Sequence, residues 1–196
     1  KLDGYEAKPT LFFEFHGTQA GVAAQAAQMQ ALAAEHGSGA FRWATAPEER
    51  TKLWKARHNA YYAGLALKPG SFGFATDACV PISRLADCVL ETRAAVDATG
   101  LVCPIVGHVG DGNFHLVVLF DPNDPAEREK AEGLARRVSS RAIAMGGTCT
   151  GEHGIGVGGK VSDPLGQLGQ GDGKGIGHAS ALWGAKRRGK GWTVSP

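Results

Sequence analysis

The stretch at 107–116, GHVGDGNFHL, sets His108 and His115 on either side of a Gly-Asp-Gly-Asn turn. Seven residues are nearly two turns of helix, but Gly110, Gly112 and Asn113 disfavour a helix there. The flanking apolar runs, VCPIVGHV before and FHLVVLF after, read as two strands joined by a hairpin-like bend. Such a bend carries both imidazoles toward one end of a two-stranded unit. A second glycine-rich stretch at 146–156, GGTCTGEHGIG, adds Glu152 and His153. Two imidazoles and a carboxylate are a common ligand set for a catalytic divalent ion, and zinc, manganese and iron all accept it. A remaining histidine is suited to proton transfer near neutral pH. The bland reading of any single histidine is a satisfied core or surface residue. Two of them around a glycine-rich turn, with a Glu-His pair later, favour a metal site.

The rest of the chain alternates helical and extended patterns. Residues 9–17 are rich in aromatic side chains and read as a buried strand. Residues 19–36, full of Ala and Gln, read as a helix stopped by Gly37. A short strand is expected at 41–45. Pro47 then opens a helix with Glu48 and Glu49 in its first turn, and this helix carries Trp54, Arg57, His58 and Tyr61. A strand is expected at 71–80, a helix capped by Ser83 to about Thr99, strands at 101–109 and 113–120, and a helix from an Asp124 cap to Met145. This order predicts an α+β fold with an antiparallel or mixed sheet and helices mostly on one face.

Composition enters as exclusion. Residues 161–196 carry five Lys/Arg against two Asp/Glu, which leaves sixteen against seventeen in the remainder. The net charge therefore gives no case for nucleic acid, and the basic run Lys186, Arg187, Arg188 and Lys190 reads as a solvated tail. Cys79, Cys88, Cys103 and Cys149 form no CxxC and no dense framework, which favours reduced thiols over a secreted disulfide scaffold. No apolar run is long enough for a transmembrane segment. Gly154, Gly156 and Gly159 fit GxGxxG, but without a βαβ unit and a downstream acid a dinucleotide site is rejected.

GHVGDGNFH followed by GGTCTGEHGIG resembles the C-terminal half of FAD-linked D-2-hydroxy-acid dehydrogenases, flavoproteins of the vanillyl-alcohol-oxidase type. LWKARHNAYYAGL and ATDACVPISRLAD resemble the same family, and the likeness covers about residues 1–160. It implies a ferredoxin-like cap domain at 1–160, with FAD bound mainly by a preceding domain that this chain lacks. It also implies oxidation of a small D-2-hydroxy acid, D-lactate foremost, to the 2-oxo acid in mitochondria. Within that reading His108, His115 and Glu152 hold a divalent metal, Mn or Zn. His153 takes the substrate hydroxyl proton, and Arg57 holds the substrate carboxylate. Electrons pass on to cytochrome c or another redox protein. Asp77 is placed near the flavin side or serves at a strand edge, Tyr61 and Lys68 are weaker cleft candidates, and Asp111 and Asn113 are expected to shape the turn. The alternatives are a metal-dependent hydrolase using the same His/His/Glu set, or a non-catalytic fragment.

The likeness stops at Gly159-Lys160. Residues 161–196 are about one-quarter glycine, with Trp183 and Trp192 supported by no apolar period. Such a segment cannot bury enough surface to offset its chain entropy and is expected to be disordered. Val161-Ser162 is also what a common intron start encodes. The chain, which begins at Lys1 without methionine or leader, is thus expected to be an inactive fragment or retained-intron product.

Overall fold

The computed structural model describes residues 8–39 and 41–152. Expectations for His153, for the tail at 161–196 and for its boundary lie outside these residues. The chain divides into two compact units, one ending at Asn59 and the other beginning at Ala60.

The first unit holds helix α1, Gln19–Glu35, and helix α2, Pro47–His58. Thr18 caps α1 by accepting the Gly21 amide. Pro47 occupies the first turn of α2 with Glu48 and Glu49, and Lys55, Arg57 and His58 close its last turn. Both ends thus complement the helix dipole. The strands expected at 9–17 and 41–45 are not formed: 9–16 and 41–45 carry no ladder among the described residues. The composition was right for strands, but an extended segment becomes a strand only when another backbone pairs with it. Phe13 and Phe15 stack on each other, while Leu11 and Trp43 are exposed.

The second unit is built on one central strand. Its elements are helix α3 (Ala60–Leu65), strand β1 (Phe72–Ala75), strand β2 (Ala78–Cys79), helix α4 (Ile82–Thr99), strand β3 (Ile105–His108), strand β4 (Asn113–Phe120) and helix α5 (Pro125–Ala144). A 3-10 turn, Val109–Asp111, joins β3 to β4. The helix expected to run through Tyr61 instead breaks at Asn59, so Tyr61 belongs to α3. The α4 cap also differs: the helix starts at Ile82 after Pro81, which has no side-chain acceptor to offer. Asp124 does cap α5, accepting the amides of Ala126 and Glu127.

Among the described residues, the pairings between these strands are all antiparallel and all pass through β4. β1 and β2 follow one another along one edge of β4 in a single register: Ala75 faces Val117 and Ala78 faces Phe114. The gap between them is bridged by the Thr76 amide, which donates to Leu116 O. β3 lies along the other edge, with Val106 opposite His115 and His108 opposite Asn113. Side chains alternate across a strand, so β4 presents Phe114, Leu116, Val118 and Phe120 to one face. There they join Cys88 and Val96 of α4 and Ala131, Leu134 and Val138 of α5 in the main core. The opposite face receives Asn113, His115, Val117 and Leu119. α3 lies against its apolar end, where Gly64 meets Pro104 and Val117 and where Leu65 approaches Gly73. The polar end of this second face carries the candidate site. The fold is α+β, with α4 and α5 on one face as the element order predicts.

Candidate metal centre

The bend between the histidines depends on Gly112. Its φ of 73° is left-handed, a conformation that side chains with a Cβ rarely adopt. A Cβ there would also meet Val80 O at 2.0 Å. The close approach has a purpose in the sheet, because the Val80 amide donates to Gly112 O at 2.9 Å. The turn is thereby fastened to the end of β2, and His108 and His115 emerge on the same face with ring centroids 6.2 Å apart.

Glu152 arrives from the segment after α5. Cys79 and Thr148 exchange backbone hydrogen bonds, and the Gly151 amide donates to Asp77 O at 2.9 Å. Residues 148–152 thus run along β2 and its approach. A Cβ on Gly151 would lie 2.2 Å from Asn113 Nδ2, so only glycine lets this segment come so near the sheet face. His108, His115 and Glu152 each offer one donor atom, and these atoms lie within 4.8 Å of one another.

Burial and polarity define what this cluster can do. His115 is 7% exposed. Its Nδ1 sits 3.0 Å from Thr76 O. A carbonyl can only accept, so Nδ1 bears the proton in that bond and Nε2 carries the ring lone pair. Nε2 in turn lies 3.0 Å from Glu152 Oε1. Two lone-pair atoms facing each other at that distance form a pair of ligand atoms that a cation can join. Nearby, the Asn113 amide is fixed by two acceptors, since Nδ2 donates to Asp77 Oδ1 at 2.9 Å and to Ala78 O at 3.2 Å. Its Oδ1 is buried and has no hydrogen-bond partner among the described residues. A buried acceptor left over beside two imidazoles and a carboxylate suits a site built for a cation or a polar guest. The donor set therefore fits a divalent metal.

The other residues singled out from the sequence take separate places. Arg57 is half-buried in the last turn of α2, within the first unit. His58 shares that turn and packs its ring 6.1 Å from that of Trp54. Tyr61 donates to Gly73 O at 3.0 Å, and Lys68 pairs with Glu127 at 2.5 Å. Both therefore hold the second unit together. Asn113 was expected to shape the turn through its side chain; instead that side chain reaches across to Asp77 and to Ala78 O. Asp77 is the residue that sequence reasoning underrated: its carboxylate accepts from Asn113 and from the Glu152 amide at 2.7 Å.

A family model described as FAD linked oxidases, C-terminal domain, matches residues 2–161. The chain is 47% identical to a probable mitochondrial D-lactate dehydrogenase of Danio rerio over 154 residues, which are 79% of this chain and 31% of that protein. It is 43% identical to the mitochondrial D-lactate dehydrogenase [cytochrome] of Arabidopsis thaliana, covering 76% of this chain and 26% of the relative. It is 32% identical to a glycolate oxidase subunit of Escherichia coli, covering 77% and 30%. The chain thus spans under a third of the length of these relatives.

Proposed function

The chain belongs to the C-terminal domain family of FAD linked oxidases, and from that premise we propose that it supplies the metal- and substrate-handling part of a flavin-dependent dehydrogenase. The substrate class is a small D-2-hydroxy acid, D-lactate first, as the names of the relatives suggest. The observation that carries this reading is the convergence of His108, His115 and Glu152 on one face of β4. Membership in an oxidoreductase family favours it over a hydrolase built on the same three residues.

A divalent ion held by these residues, Mn or Zn, would act as a Lewis acid toward the hydroxyl and carboxylate oxygens of the substrate. FAD, bound mainly by another part of the enzyme, would accept the hydride from C2. The chain's own residues do the rest. Thr76 O and the Asp77 carboxylate hold His115 in one orientation. Glu152 sets a negative charge opposite His115 Nε2. Arg57 offers a planar fork that matches a carboxylate. His153, next to Glu152 in sequence, receives the hydroxyl proton. A mitochondrial location and a cytochrome-type electron acceptor are supported by the names of the relatives.

The test is direct. His108→Ala, His115→Ala and Glu152→Ala are each expected to abolish stoichiometric metal binding, read by elemental analysis and chelator competition. In an enzyme carrying this domain together with its flavin part, His153→Asn should retain the metal. It should slow flavin reduction by D-lactate by about two to four orders of magnitude. Full metal occupancy in all three ligand variants would sink the assignment.

A further inference from the structure

Asp77 sits where β1 hands over to β2, and its register places it opposite His115 on the site face. It is 7% exposed. Its two carboxylate oxygens and its backbone carbonyl oxygen are all committed. Oδ2 accepts the backbone amide of Glu152 at 2.7 Å. Oδ1 accepts the Asn113 side-chain amide at 2.9 Å and lies 3.5 Å from His115 Nδ1. The carbonyl oxygen accepts the Gly151 amide at 2.9 Å, and Asp77 forms a parallel bridge with Thr150. One carboxylate therefore touches the strand that carries His115 and the segment that carries Glu152.

We infer that Asp77 is the positioning residue of this centre: it fixes Glu152 through its backbone amide and polarises His115 through Nδ1, without itself reaching the metal. The inference rests on the metal reading above and adds to it the residue that sets the ligands in place. The physical argument is one of donors and acceptors. Both carboxylate oxygens accept from N–H groups. An asparagine of the same shape must turn its own NH2 toward one of those donors, leaving two donors face to face. The Asp77→Asn substitution therefore keeps volume and loses function of position. It also removes the negative charge behind the His115 ring, which makes Nε2 a weaker donor to a cation. Losses of this kind cost about 10–100-fold in metal affinity.

The experiment uses the full 196-residue chain and Co2+ as probe, with affinity from chelator competition and site geometry from the visible absorption band. Asp77→Asn is expected to weaken Co2+ binding about 10–100-fold and to shift the band, while its far-UV circular dichroism matches the parent. Val138→Ala, in the core on the opposite face, should lower thermal stability and leave both the affinity and the band unchanged. If Asp77→Asn does not fold, Asn113→Ala carries the test. It removes one of the two N–H groups that orient the Asp77 carboxylate, and it should weaken Co2+ several-fold. Parental affinity and band in the folded Asp77 variant, or in Asn113→Ala where that variant stands in, overturn the inference while His115→Ala still loses the metal. Retention of Co2+ by His115→Ala overturns the metal reading itself.

Discussion

Gly112 condenses what single residues contribute here. It combines a left-handed backbone with a contact too close for any Cβ. Gly112→Ala is therefore expected to destabilise the chain by more than about 1 kcal/mol, measured as a lower urea midpoint, and to weaken metal binding in parallel because both histidines flank it. The glycines, histidines and Glu152 were legible in the sequence because each leaves a local mark: a turn residue between apolar runs, an imidazole at a strand end, an acid among glycines. Asp77 leaves none. Its partners lie 36 residues away at Asn113 and 75 away at Glu152, and only the pairing of strands reveals them. Asn113 was misjudged for the same reason, since a polar residue in a turn usually bonds its own backbone.

Among elements, the helices were the easier half. α5 begins at the aspartate cap and ends within a residue or two of the expected stop, since caps and glycines act locally. The strands depended on partners. The expected strand at 71–80 proved to be two short ones in a common register, and the segments at 9–17 and 41–45 found no ladder. One tie between elements has a measurable pH signature. The Lys68 ammonium, followed by the Asp121 amide, holds the Glu127 carboxyl below its ordinary value of 4.5. A carboxyl depressed in the folded state contributes stability above its unfolded value, and that contribution disappears as pH falls through the folded value. Lys68→Met is thus expected to lower the urea midpoint at neutral pH. The difference from the parent should close on acidification below about pH 4.5, and a constant difference down to strong acid would refute the linkage.

At the scale of the molecule, the α+β class followed from the order of helical and extended patterns, and the family followed from two motifs. What the order could not give was the central place of β4. That strand is hydrogen-bonded along both edges, all eight of its residues are buried, and His115 and Asn113 belong to it. Time then enters the description. Amides of such a strand exchange with solvent only in the rarest openings, so β4 should be the slowest segment in hydrogen–deuterium exchange. The backbone of His115 is held by both neighbouring strands, whereas Glu152 is carried by the segment after α5. An ion seated there would leave sooner by loss of Glu152 than by opening of the sheet, so its residence time would report the motion of the segment at 148–152 rather than that of β4.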